Sequence, residues 1–164
     1  MVDEPQWLTR DETLAWIALC GLFTHLPHVL DRQLQRDAGI SLADYQVLAW
    51  LSMAPDRTRR MRDLAARADV TLSHLSRIVA RLEDRGWVRR RPEPTDGRTT
   101  LATLTDAGWA KVVATAPCHV TEVRRRVFDG LTPEQVAALD EVSRHITTAC
   151  DVALPDIDTG EPRR

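Results

Sequence analysis

Between residues 14 and 34 apolar side chains recur at helical spacing. Leu14, Ile17, Ala18, Leu22, Leu26, Val29, Leu30 and Leu34 fall close to the i, i+3, i+4, i+7 repeat of one helix face. Thr9-Arg10-Asp11-Glu12 opens the segment as a capping box, in which a hydroxyl and a carboxylate each satisfy an orphan N–H. Gly39 supplies a stop. Pro27 lies inside, and its missing N–H predicts a kink or interruption near the middle. A helix of about 28 residues is long against a mean of roughly 11–12, so it calls for a partner along its length.

A second helix is predicted from Ser41-Leu42-Ala43-Asp44 to about Met53, with Tyr45, Leu48, Trp50 and Leu51 as its apolar surface. Ala54-Pro55-Asp56 breaks it, and a short extended piece follows around Arg59-Arg60-Met61. Arg62 to Gly86 reads as two short helices split at Asp69-Val70-Thr71. The spacing fits a helix-turn-helix: small Ala65 where the helices touch, a tight turn four residues on, then anchors at Val70, Leu75 and Ile78. Asp69 occupies a turn position that favours positive φ, which Asp tolerates, and Thr71 is a good N-cap.

After Gly86 the period changes. Trp87-Val88-Arg89-Arg90-Arg91 reads as a strand, Pro94-Thr95-Asp96-Gly97 as a turn, and Thr99 to Leu104 as the return strand of a hairpin. Thr105-Asp106 caps a helix running from Ala107 to about Phe128, with a bend at Pro117 and an end at Gly130. Thr132-Pro133-Glu134-Gln135 starts the last helix, to about Cys150, with Val136, Leu139, Val142 and Ile146 on one stripe. The expected class is mainly α with a small β-hairpin wing. The expected division is an N-terminal extension at 1–8, a first long helix at 9–40, a winged helix-turn-helix at 41–104, C-terminal helices at 105–150, and a disordered tail at 151–164.

Composition narrows the class. The 164 residues are 43% apolar and 28% charged, which excludes wholesale disorder and fits one domain with tails. Met1 to Pro5 shows no signal-like apolar stretch, and no apolar run approaches the roughly 18 residues a membrane span needs. Cys20, Cys118 and Cys150 are odd in number and widely spaced, which suits a reducing compartment and a cytoplasmic protein with no membrane partner. The net charge of −2 hides an asymmetry. From Arg57 to Arg98 there are twelve arginines against six carboxylates, a balance of +6, so the flanks carry −8. A basic middle between acidic flanks points to a local anionic partner.

In the second helix of the motif Leu75, Ile78, Val79 and Leu82 form the inward stripe. His74, Arg77 and Arg81 share another face, with Ser73 beside them at the N-terminal end. That end would enter a major groove, with Arg77 on guanine and Ser73 and His74 on base edges. Thr71, through the free N–H groups near it, and Arg81 would meet phosphate. An ordinary solvated face accounts for Arg77 and Arg81 taken alone; the turn spacing and the hairpin together favour double-stranded DNA. Arg89, Arg90 and Arg91 flank the base of the hairpin and would lie along the DNA backbone. Arg98, just past the tip, would enter a minor groove. Asp96 is an odd residue to aim at phosphate and is expected to pair with an arginine of the motif, bracing the wing.

These residues resemble the MarR (multiple-antibiotic-resistance regulator) family of bacterial transcription factors. Arg62–Gly86, then Asp96-Gly97-Arg98 followed by Leu101 and Leu104-Thr105, with Ala107-Gly108 opening the next helix, carry the resemblance. It implies a homodimer with intertwined terminal helices, bound to an inverted repeat, usually as a repressor. It also implies a small phenolic or similar effector held between the dimerization helices and the winged domain. By that similarity Ser73, His74 and Arg77 read bases, Arg98 enters the minor groove and Asp96 braces the wing. The amphipathic terminal helices, with no sheet to cover them, call for a second copy on their own account.

For the effector the candidate lining residues are Trp16, His25 and His28 on the first helix and Trp50 on the second, an aromatic wall with polar handles. Core or interface packing is the plainer account of Trp16 and Trp50, and a surface or interface polar group that of His25 and His28. His25 and His28 would make half a metal site, but no further ligand is evident, so no metal and no cofactor are expected. Cys20 has no cation beside it in sequence and reads as an inert thiol. No G-x-S-x-G, H-E-x-x-H, paired C-x-x-C or Gly-rich phosphate loop is present, which argues against an enzyme. The remaining alternative is a helical dimeric ligand-binding or protein-interaction module with a vestigial winged motif, for which the +6 middle has no use.

Overall fold

The computed structural model describes residues 5–152. Helix α1 spans Arg10–Ala38, α2 Leu42–Ser52, strand β1 Thr58–Arg60, α3 Met61–Arg67, α4 Leu72–Asp84, β2 Val88–Glu93, β3 Asp96–Leu104, α5 Asp106–Val123 and α6 Pro133–Ala149. The tail expected to be disordered lies, from residue 153 onward, outside the described residues.

Local chemistry sets the boundaries. Thr9, Ser41, Thr71, Thr105 and Thr132 each accept a backbone N–H as N-cap, and Thr9 and Thr132 complete capping boxes with Glu12 and Gln135. Gly39 ends α1 in the left-handed region at φ 65°. Helix α1 runs through Pro27 without the interruption that was one of the two expected outcomes: one lost hydrogen bond in a 29-residue helix is outweighed by the turns on either side. Pro117 likewise sits inside α5, which passes at its C-terminal end into a π-helical turn, Arg124–Phe128, closed by the Asp129 N–H on the Arg124 carbonyl at 2.8 Å.

The sheet has three strands in the order β1-β3-β2, all antiparallel. The sequence predicts the β2–β3 hairpin; β1 joins it through the pairs Thr58↔Thr103, Arg59↔Ala102 and Arg60↔Leu101. A bulge at Pro92/Glu93 moves the register near the tip.

One core unites α2, α3, α4 and the base of the wing. Val47, Leu48 and Leu51 meet Met61, Leu64, Ala65, Leu75, Ile78, Val79 and Leu82, capped by Val88, Ala102, Leu104 and Val112. Each fully buried Leu or Ile stabilises by about 1.5–3 kcal/mol. Gly108, in the first turn of α5, sits hard against this core. A Cβ there would run into the Trp87 carbonyl oxygen and the Leu104 side chain, so α5 packs onto the wing base only through glycine.

The helical half is different. α1 buries only Gln33 and Leu34 near its C-terminal end, and α6 buries nothing. Leu14, Trp16, Ile17, Leu22 and Phe23 on α1, and Val136, Leu139 and Val142 on α6, stand exposed. α1 is also long and apolar enough to cross a membrane, and Thr13–Leu30 contains no Asp, Glu, Lys or Arg. That corrects the expectation that no run approaches such a length; interspersed Thr, Gly and His residues masked it. The exposed stripes require an apolar cover.

Candidate nucleic-acid interface

The turn between α3 and α4 forms as the sequence predicts. Asp69 takes φ 49°, and the N–H groups of Asp69 and Val70 bond the Ala66 and Ala65 carbonyls at 3.3 and 3.1 Å. The Thr71 hydroxyl accepts from the His74 N–H at 3.2 Å, which fixes the start of α4. Leu75, Ile78, Val79 and Leu82 are buried. Ser73, His74 and Arg77 are exposed together on the opposite side. Leu72, half exposed beside them, is an apolar group the sequence reading did not single out.

The twelve arginines of the basic middle separate by what they touch. Arg57 pairs with Asp106 at 3.0 Å and lies over Trp109. Arg59 donates to the Trp50 carbonyl, and Arg67 faces the Trp50 ring. Arg60 pairs with Glu93 at 2.7 Å, Arg81 with Asp44 at 2.9 Å, and Arg90 with Glu83 at 2.6 Å. Arg85 donates to the Gly39 carbonyl. Arg62, Arg77, Arg89, Arg91 and Arg98 make no ion pair among the described residues and are all exposed.

Between α3, α4 and the wing lies a cleft of about 580 Å³, lined in part by Arg60, Arg62, Arg90 and Arg98 with Ser76 and Thr100. Its carboxylates are Asp63 and Asp96. Asp96 is not paired with an arginine, contrary to expectation. It accepts from the Thr99 hydroxyl at 2.7 Å and the Arg98 N–H at 3.1 Å, which close the tip on itself and hold its pKa below the ordinary value. Arg60, at the end of β1, pairs instead with Glu93, which lies at the bulge of β2. Glu83 is buried enough to raise its pKa, yet the backbone and side-chain bonds from Arg90 outweigh this and leave it lowered.

A second cleft, about 280 Å³, opens where α1, α2 and α5 meet, and Leu26, Pro27, Leu30, Tyr45, Trp50 and His119 are among its walls. Of the expected lining residues only Trp50 is there. Trp16 lies ten residues before Leu26, roughly 15 Å along the helix, and is exposed. His25 and His28 are exposed and line neither cleft. The polar group present is His119, whose Nδ1 lies 3.3 Å from Gln33 Oε1 and whose ring packs on Tyr45. Burial lowers its pKa below the ordinary value. Three or more His, Cys, Asp or Glu side chains do not gather anywhere among the described residues in a metal-binding arrangement.

Residues 38–99 match the MarR family. An HTH-type transcriptional regulator of Mycobacterium bovis is 30% identical over 79% of this chain and 85% of its own length. Among solved structures, Sco3205, a MarR family transcriptional regulator from Streptomyces coelicolor in complex with DNA, is 48% identical with a TM-score of 0.85, over 90% of this chain and 92% of that one. The chain belongs to the MarR family. A mutant MarR from Escherichia coli complexed with operator DNA is 27% identical with a TM-score of 0.68, over 80% and 95%.

For a MarR-family regulator, not an enzyme, the sequence motifs find local reasons here. Thr105 caps α5 while its hydroxyl donates to the Gly86 carbonyl at 2.7 Å. Gly108 admits the Trp87 carbonyl. Leu-Thr-x-x-Gly is thus the hinge plate between wing and helix. Arg62, exposed on α3 with no ion pair among the described residues, escaped the sequence reading although its place at the start of a helix beside the hairpin was visible.

Proposed function

We propose that this MarR-family chain is a homodimeric repressor that binds an inverted-repeat operator in the bacterial cytoplasm. One observation carries the reading: the exposed Ser73, His74 and Arg77 of α4 stand beside a wing whose Arg89, Arg91 and Arg98 make no ion pair among the described residues. An α-helix fits a major groove and Arg77 suits guanine O6 and N7. Arg98 at the wing tip suits a minor groove, and Thr71, Arg89, Arg90 and Arg91 suit the backbone. The DNA complexes named for Sco3205 and the Escherichia coli protein support the same partner.

A second copy of the chain is the cover best suited to the apolar stripes of α1 and α6. It would set two recognition helices about one DNA turn, ~34–36 Å, apart. The cleft walled by Trp50 and His119 suits a small aromatic effector with one hydrogen-bonding group.

Selection of bound sequences from random DNA by the purified protein tests the core of this. A recovered palindrome supports it; failure to enrich any duplex sequence at low ionic strength overturns it. Phe23→Glu, on the exposed face of α1, should convert a dimer to a monomer in sedimentation and abolish operator binding. A monomeric wild type would overturn the dimer.

A further inference from the structure

Arg77 and Arg81 on α4 and Arg85 at its C-cap fall at i, i+4 and i+8. Arg77, at the groove end, is unpaired among the described residues. Arg81 Nη2 donates to Asp44 Oδ1 at 2.9 Å, and Arg85 Nη1 to the Gly39 carbonyl at 3.2 Å. One face of one helix therefore passes from a free cation to two tethers on the body of the molecule.

Asp44 lies in the first turn of α2, where its own N–H donates to the Ser41 hydroxyl. Its side chain is only 8% exposed, while that of Arg81 is about half exposed. A carboxylate so removed from water requires a cation, and the ion pair supplies it from a residue 37 positions away. The core contacts of Val47, Leu48 and Leu51 with Leu75, Ile78, Val79 and Leu82 set how far α4 lies from α2. Such contacts are non-directional. A charge-assisted hydrogen bond is directional, and this one adds to the buried stripe of Leu75, Ile78, Val79 and Leu82 a directional restraint on the roll of α4 about its axis. Ser73, His74 and Arg77 point where that roll sends them.

We infer that Asp44 and Arg81 are a positioning pair for DNA recognition, and that Arg81 does not contact phosphate. The inference rests on the DNA-binding reading of α4. Leu42, Tyr45 and Gln46, on either side of Asp44, all line the Trp50–His119 cleft.

The test compares Asp44→Asn, Arg81→Gln, the double variant and Arg81→Lys with wild type. Affinity is measured for the selected operator and for random duplex across a salt series, with thermal melting alongside. The operator-to-random ratio should fall about tenfold in Asp44→Asn and in Arg81→Gln. The double variant should be no worse than either, Arg81→Lys should recover part of the ratio, and Arg81→Gln should keep the wild-type salt slope. A phosphate contact would instead lose close to one unit of slope, with equal losses on both DNAs and a silent Asp44→Asn; that result overturns the inference. Lowered melting temperatures with an unchanged ratio overturn it too, leaving a purely structural pair. A wild type that prefers no sequence would defeat the DNA-binding reading itself, which the same experiment shows before any variant is compared.

Discussion

Arg60 Nη2 donates to Glu93 Oε1 at 2.7 Å, joining the end of β1, at the threshold of α3, to the far end of β2. Glu93 is nearly buried and Arg60 half exposed, so solvent screens the pair from one side. The bond raises the Arg60 pKa further above its ordinary value. Glu93→Ala should therefore cost about 1 kcal/mol or less in stability while loosening the wing. The expected signature is a small drop in melting temperature with a clear loss of DNA affinity. Unchanged affinity would mean the wing holds its pose without the bond.

Arg77 and Arg98 should fail in different ways. Arg77→Ala should cost roughly 1–3 kcal/mol on the cognate site and much less on random duplex, the mark of a lost base contact. Arg98→Ala should weaken both and flatten the dependence on salt, because a cation leaves the polyanion. Filter binding or anisotropy over a salt series separates the two. Equal losses on both DNAs for Arg77→Ala would remove it from base reading.

Gly108→Ala forces either the Trp87 carbonyl or the whole of α5 to move. Overpacking of this kind costs about 1–3 kcal/mol. Thermal or urea unfolding should show the loss, whereas alanine at Gly21, where nothing lies near a built Cβ, should not be destabilising.

Acid should loosen the wing through Glu83. Its pKa is lowered in the folded protein by the bonds from Arg90, against the push of burial. A lowered carboxylate contributes stability above its unfolded pKa and loses it as pH falls through the folded value. The urea midpoint should therefore fall as pH drops below the ordinary value of 4.5, and fall less steeply in Glu83→Gln. Parallel pH profiles for the two proteins would remove Glu83 from the acid response.

Local signals were readable in the chain. The caps at Thr9, Ser41, Thr71, Thr105 and Thr132, and positive φ at Asp69, follow from chemistry within four residues. Partner choice was not. Asp44 finds Arg81, Arg60 finds Glu93 rather than Asp96, and Gln33 meets His119 across 86 residues. Each depends on where the core sets two helices or where a bulge shifts a strand, and periodicity carries no such information. The same gap hid His119 and favoured Trp16, His25 and His28, which share a helix with the cleft but not its mouth.

Only Thr105 separates the last residue of β3 from the first of α5, and its hydroxyl and N–H are both anchored at the wing base. There is no slack at that joint. β3 is nine residues long, roughly 30 Å at ~3.3 Å per residue, so a turn of about 10° in α5 would carry the hairpin tip through roughly 5 Å. Were α5 to turn so, the strand would act as a crank, and a small adjustment deep among the helices would become a displacement comparable to the width of a minor groove.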